Sequence, residues 1–369
     1  MQAMPHPARD DARDRRARHH VLLALPGCGF VKIAVAFDTP HQGWEDEDFK
    51  REVAAEVEEA EYEVAEALMA SGHDVSLIGV HDDLHHLTDR LVTFQPDLVF
   101  NCAEGCYDRP QLDYLFAALL EAEGYRYTGS PPIALLTTRN KAMSKKVLAY
   151  HGIRVPGFVT YRRMEIVDEP PELAFPLIVK PLQEDASEGI SLASVVRTVD
   201  ALAERVRFVH ETFGQTAIAE EYVEGRELYV GVVGNDDSLE LLPITEMVFD
   251  KELTKPEERI ATKMAKWDVP YRERRGIRNV FARPIARAAR ERIEEICRTA
   301  FRALWLRDYA RLDVRLTADG DVWVIEANAN PFISFGHDMA NAAEKAGMDY
   351  YAFIRRLAEI AVERHRRDG

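Results

Sequence analysis

The chain is expected to be an α/β protein, with a doubly wound parallel sheet on its N-terminal side and a region of paired strands after it. Three observations lead there. Between positions 31 and 123, apolar strand-like runs alternate with segments of helical period, the pattern of a parallel sheet. From Arg311 to Pro331 the chain reads as two strands joined by a tight turn, with polar residues gathered by the alternation. The apolar and charged fractions, 47% and 30%, are those of an ordinary globular protein, and 369 residues leave room for two or three domains.

Composition narrows the function. A net charge of −16 argues against a general nucleic-acid binder and against a surface for anionic membranes. Four cysteines, without a CxxC pair, are too few for a disulfide scaffold and suggest a reducing, cytoplasmic setting. Cys102 and Cys106 lack a second pair or nearby histidine to complete a metal site. No repeat, low-complexity tract or membrane-length apolar run is present.

Residues 1–30 are expected to be a disordered tail. Five arginines crowd the first 18 positions with almost nothing to bury, and Pro26-Gly27 interrupts the apolar run that could pass for a signal peptide. The first strand is expected at Val31 to Phe37. A long amphipathic helix follows, with Phe49, Val53, Val57, Ala60, Val64 and Leu68 on one face, ended by Ser71-Gly72. Strands at His73 to Val80 and Pro96 to Asn101, then a helix from Gln111 to Glu123, complete the unit. In such sheets ligands sit past the carboxyl ends of the strands, which singles out Asp38, Asn101, Glu104 and Gly105. Each alone is an ordinary loop residue; together they form a substrate-site hypothesis.

A helix spans Asn140 to Tyr150, and Phe175 to Pro181 is a very apolar strand with Lys180 inside it. A lysine there is costly to bury without a fixed anion, although it can also snorkel to the surface. Gln183 to Gly189 reads as a loop, Ile190 to Val196 as a strand. Thr216 to Val223 and Arg226 to Val233 flank the turn at Glu224-Gly225. The charged stretch 250–280 is a lid or a solvated loop. Arg283 to Leu306 is a long helix with Ile285, Ala289, Ile293, Ile296, Ala300 and Leu304 as its buried stripe and Cys297 beside it. Asp338 to Ala346 and Asp349 to Arg364 read as closing helices. In the hairpin, Arg311 and Asp313 share a face, as do Glu326 and Asn328. Two carboxylates and an amide oxygen make a set suited to Mg²⁺, with Arg311 beside it for a phosphate.

Asn140-Lys141, Val179-Lys180-Pro181, the run Glu220 to Glu227, Arg311-x-Asp313 and Glu326-x-Asn328 together resemble, in order and spacing, the ATP-grasp superfamily. With Tyr127-Thr128-Gly129-Ser130 they resemble, more narrowly, D-alanine–D-alanine ligase and its relatives, over roughly 95–335. The resemblance implies a Rossmann-like domain over 31–136, an ATP-grasp small lobe over 137–224 and a C-terminal lobe with the metal site over 225–369. It implies ATP phosphates gripped by Lys141 and Lys180. It also implies an adenine hinge at Glu220 and the backbone of Glu221 and Val223, and a ribose contact at Glu227. Mg²⁺ (or Mn²⁺) would be held by Asp313, Glu326 and Asn328, with Arg311, Lys266 and Ser187 at the reacting groups. The implied reaction is amide formation through an acyl phosphate, from small-molecule substrates such as an amino acid and an amine, with a homodimer as the family's assembly.

Three departures bear on the substrate. Phe37 to Glu45 lacks the family's Gly-Gly-x-Ser-x-Glu run, leaving Asp38, Glu45 or Glu104 as candidates for an ammonium partner. Asp185-Ala186-Ser187 stands where the ligases have Gly-Ser-Ser. His337-Asp338 stands where they have a Ser-Leu pair reading a carboxylate, and an acid there repels a free carboxylate. These tell against D-alanine. A kinase using the same ATP machinery and a non-catalytic nucleotide binder remain as alternatives, the second disfavoured by the metal set.

Overall fold

In the computed structural model, residues 31–39, 60–81, 83–107, 109–255 and 258–368 are described. The expected tail 1–30, the helix positions Phe49, Val53 and Val57, and Glu45 lie outside them. β1 (Lys32–Asp38), β2 (Asp74–Val80) and β3 (Leu98–Asn101) form a parallel sheet in the order β2-β1-β3. Both faces of β1 are buried, so its sequence runs apolar without alternation, as parallel central strands do. α1 (Ala60–Ala70) buries Val64 and Leu68, and α2 (Leu84–Phe94) buries Leu87 and Leu91. Asp83 caps α2 by accepting a hydrogen bond from the His85 N–H at 2.8 Å. Asp38 and Asn101 stand at the carboxyl ends of β1 and β3.

α3 (Tyr114–Glu123), α4 (Pro132–Arg139) and α5 (Lys141–Tyr150) follow. Asn140 caps α5 through the Met143 N–H, which sets where Lys141 begins the first turn. A second sheet is antiparallel, ordered β4-β7-β5-β6 from β4 (Phe158–Tyr161), β5 (Leu177–Pro181), β6 (Val195–Val196) and β7 (Ala217–Glu221). The strand expected over 190–196 is reduced to β6. Ser191 and Ser194 bond each other in a tight turn over Leu192–Ser194, and local side-chain bonds compete with a ladder there. α6 (Val199–Phe213) buries Leu202, Val206 and Val209 on this sheet.

The large sheet runs β11-β10-β8-β12-β13, with β9 beside β8. Its strands are β8 (Arg226–Val233), β9 (Glu240–Leu241), β10 (Thr245–Val248), β11 (Arg278–Phe281), β12 (Tyr309–Leu316) and β13 (Val322–Asn328). Gly225 enters β8 against β12, where a Cβ would stand 2.6 Å from the Leu316 carbonyl oxygen, so only glycine fits that approach. Between β10 and β11 lie two short helices, α7 (Lys263–Trp267) and α8 (Val269–Arg275). α9 (Arg287–Ala303) buries Ala289, Ile293, Cys297 and Ala300, so Cys297 belongs to the stripe itself.

α10 (Asp338–Lys345) and α11 (Tyr350–Asp368) close the chain. α11 packs on the first sheet: Phe353, Ile354 and Leu357 share a core with Ile33, Val35, Phe37 and Phe100. Each such side chain contributes about 1.5–3 kcal/mol of burial. A second core joins β2, β3 and α3 to β8, β12 and β13. The first and third sheets are therefore held together by apolar contact. Among the described residues no helix is long and apolar enough to cross a membrane.

Candidate active site

The hairpin supplies the centre. Register pairs Arg311 with Asn328 and Asp313 with Glu326, and a bulge follows Asp313. The expected convergence is thus set by strand pairing. Arg311 Nε and Nη2 donate to the two Asp313 oxygens at 2.7 and 3.1 Å, and Asn328 Nδ2 lies 3.4 Å from Asp313 Oδ1. Lys266 Nζ stands 4.0 Å from Asp313 Oδ2. Tyr229 forms a ring floor, with Lys266 and Arg311 at 5.7 and 5.3 Å from its centroid. Burial raises the Asp313 carboxyl more than Arg311 and Lys266 lower it. The Asp313 carboxylate, beside Glu326 and the Asn328 amide, is an oxygen-bearing set that fits a divalent cation such as Mg²⁺ or Mn²⁺.

Three lysines face the buried Glu220 and the half-buried Glu326 behind this set. Lys141 Nζ is 2.8 Å from Glu326 Oε1 and 3.5 Å from Asp185 Oδ1. Lys145 Nζ and Lys180 Nζ flank Glu220 at 3.0 and 3.1 Å, and Lys145 also donates to the Ile325 carbonyl at 2.8 Å. Burial opposes ionisation of Glu326, yet Lys141, Lys180 and Lys266 hold its carboxyl well below the usual carboxylate range. Burial pushes Lys145 down to about 8, because Glu220 only partly offsets it and Lys180 adds like charge. Sequence reasoning missed Lys145. Its signal was the spacing: four residues after Lys141, it falls one helical turn along the same face.

Glu220, expected at an adenine edge, is 1% exposed and has its carboxylate between Lys145 and Lys180. Glu221 donates its N–H to the Gly157 carbonyl and accepts from the Ala174 N–H at 3.0 Å. Val223, half-buried, lies in the stretch that carries the chain from the second sheet to the third. Glu227 pairs with Arg315 at 2.6 Å and accepts from the Tyr229 hydroxyl at 2.9 Å.

Ser187 is buried in the loop after β5. Ala186 and Ser187 both have left-handed backbones, with φ of 51° and 63°, and Gly189 follows at 69°. A Cβ on Gly189 would stand 2.7 Å from Pro181. Two non-glycine residues in this region cost about 1–2 kcal/mol each, strain of the kind found at ligand clamps. α7 docks on the loop: the Trp267 indole donates to the Ala186 carbonyl at 3.1 Å, the Lys263 N–H to that of Ile190 at 3.3 Å, and Lys263 pairs with Glu188. Stretch 250–280 therefore holds helices seated over the site, with Lys266 inward.

The opposite wall comes from the first sheet. Asp38 Oδ1 accepts from the Glu104 N–H at 2.7 Å, and Arg139 bridges Asp113 and Asp185 at 2.6 and 2.8 Å. Asp113, Thr138, Arg139, Asp185, Asn328 and Asn330 line one continuous cleft. Glu104 opens toward solvent but is surrounded by protein, which, with the Asp38 charge, pushes it up to about 7. Of the ammonium candidates, Asp38 and Glu104 thus sit together. Arg139 and Asp113 carried no sequence signal, since their meeting depends on how α4 lies beside the turn entering α3.

A family model described as D-ala D-ala ligase C-terminus matches residues 147–359, more than half of the chain. An uncharacterized protein, y4sG, of Sinorhizobium fredii is 32% identical over 83% of this chain and 88% of its own length. A D-alanine–D-alanine ligase of Bordetella petrii is 29% identical over 78% and 82%. In the solved structures, a D-alanine–D-alanine ligase from Bacillus anthracis complexed with ATP superposes with a TM-score of 0.71 at 20% identity, covering 92% of this chain and all of that one. The α/β fold is the fold of that structure, and the chain belongs to the D-alanine–D-alanine ligase family of ATP-grasp ligases.

Proposed function

We propose that the protein joins a carboxylate to an amine in an ATP-dependent reaction through an acyl phosphate. The carrying observation is the Lys141–Glu326 pair at 2.8 Å, which puts phosphate-binding charge against the carboxylates suited to a metal. Asp313, Glu326 and Asn328 would hold Mg²⁺ or Mn²⁺, which when bound neutralises charge on the transferring phosphate. Lys141 and Lys180 would hold ATP phosphates, trading their glutamate partners for phosphate oxygens. Glu220, Glu221, Val223 and Glu227 lie along the stretch where the adenosine end would rest.

The substrate carboxylate oxygen bonds to the γ-phosphorus as the bond to ADP breaks. The amine nitrogen then bonds to the acyl carbon as inorganic phosphate leaves, and the nitrogen proton passes to solvent or phosphate. Arg311 and Lys266 stabilise charge on the phosphoryl group and on the acyl oxygen, and Ser187 closes the loop over them. α7, seated on that loop, keeps water from the acyl phosphate.

Hydroxylamine trapping tests this reading, because it converts any acyl phosphate to a hydroxamate without the natural amine. With Mg²⁺ and ATP across a panel of carboxylates, at least one hydroxamate is expected. It should fall about a thousandfold in Glu326→Gln and Asp313→Asn, the scale of a lost electrostatic catalyst. ADP release with a stable phosphorylated product and no hydroxamate would make the protein a kinase instead.

A further inference from the structure

Next to Lys266 in the chain lies a group of side chains that the phosphate and metal set does not use. Three rings meet there. Phe332 and His337 stand edge to face at 4.6 Å between centroids, and Trp267 joins them at 5.9 and 6.1 Å. Asp338 follows His337 directly. Its carboxylate is fixed by the Asn279 amide, whose Nδ2 donates to both oxygens at 2.8 and 3.0 Å, with the Thr245 hydroxyl at 3.5 Å. Amide and hydroxyl donors orient a carboxylate without neutralising it. Among the described residues no ion pair includes Asp338, and its charge reaches Arg311 and Tyr229 at the reacting centre. Lys266 and Arg311 are turned to Asp313, so their charge is directed to the phosphate side.

Aromatic rings and a fixed carboxylate outside any ion pair recognise cations, and the same carboxylate repels an anionic group. The ring group includes Trp267, next in sequence to Lys266, whose ammonium stands 4.0 Å from Asp313 Oδ2. Resting on the ligase reading above, we propose that the amine substrate is a carboxylate-free amine with a second positive charge, a diamine-type acceptor. Its remote ammonium sits between Asp338 and the rings of Trp267, Phe332 and His337. The reacting nitrogen enters as the free base, attacks the acyl carbon, and phosphate leaves, giving an amide that keeps one ammonium.

The test begins with the donor carboxylate found by hydroxylamine trapping, a step that does not require this group. With that donor, Mg²⁺ and ATP, two matched pairs are compared: 1,3-diaminopropane against β-alanine, and 1,4-diaminobutane against 4-aminobutyrate, with D-alanine alongside. The diamines are expected to give the amide mass with kcat/KM at least about tenfold above their matched amino acids. That ratio is expected to collapse in Asp338→Asn and to fall in Phe332→Leu, each verified as folded by its melting curve. Amino acids coupled as well as or better than diamines would overturn the proposal and leave the ligase standing. If no carboxylate yields a hydroxamate, the ligase reading fails by itself. Calorimetric titration of 1,4-diaminobutane and 4-aminobutyrate into protein holding Mg²⁺ and a non-hydrolysable ATP analogue then decides the site. Diamine binding lost in Asp338→Asn upholds it; no binding, or equal binding of the two, sinks it.

Discussion

Glu220 is a residue whose neutralisation should be felt in stability. Its buried carboxylate is the shared partner of Lys145 and Lys180, so Glu220→Gln leaves two buried ammonium groups facing a neutral amide. Breaking a buried pair in this way costs about 3–5 kcal/mol, and a urea melt at pH 7 should register that loss. Glu104 carries a pH signature. Its folded pKa, about 7, lies above the ordinary glutamate value of 4.5. The folded protein therefore holds a proton that the unfolded chain has released between those values. The stabilising contribution is complete below pH 4.5 and lost as pH rises through 7. Glu104→Gln, which imitates the protonated form, should raise Tm at pH 8 and cease to differ from wild type near pH 4.5. Solvent screening of this open side chain limits the effect to about 1 kcal/mol.

Among the elements, α7 and the loop after β5 form a pair. The loop is held in left-handed backbone at Ala186 and Ser187, and the Trp267 indole bonds the Ala186 carbonyl. A seat made of one indole bond, one long backbone bond and a half-exposed ion pair is weak enough to open for substrates, as a closing element must be. Trp267→Leu keeps apolar bulk but removes that donor. Water should then reach the acyl phosphate, and ADP release is expected to exceed amide formed, where wild type keeps the two near equal. Coupled ADP and amide assays on one sample check this; unchanged coupling would mean that α7 does not exclude water.

Across the whole molecule, the last helix joins segments far apart in the chain. Arg364 on α11 donates to both oxygens of Asp308 at 2.9 Å and to the Tyr127 carbonyl at 2.8 Å. Asp308 in turn accepts from the Gly129 N–H and the Asn235 amide, at 2.8 and 2.9 Å. Asp308 is fully buried and Arg364 6% exposed, so this junction clamps the segment beside β3 to the turns flanking β8 and β12. Arg364→Met should cost about 3–5 kcal/mol by stranding Asp308, and should lower Tm without changing the ratio of amide to ADP in the surviving folded protein.

Local pattern carries far in this chain. Strand alternation about the tight turn foretold that Arg311, Asp313, Glu326 and Asn328 would meet, because a two-residue period leaves no freedom about which face a side chain takes. Alternating strands and helices foretold the parallel first sheet for the same reason. What pattern could not carry was contact between distant segments. Lys145 becomes a partner of Glu220 only when α5 packs beside β7, and Arg139 bridges Asp113 and Asp185 only when α4 lies over the cleft. Asp338 is poised by Asn279, 59 residues earlier, across the edge of the large sheet. Those pairings depend on how whole elements pack, a property of summed burial over many residues, and no short stretch of sequence contains it.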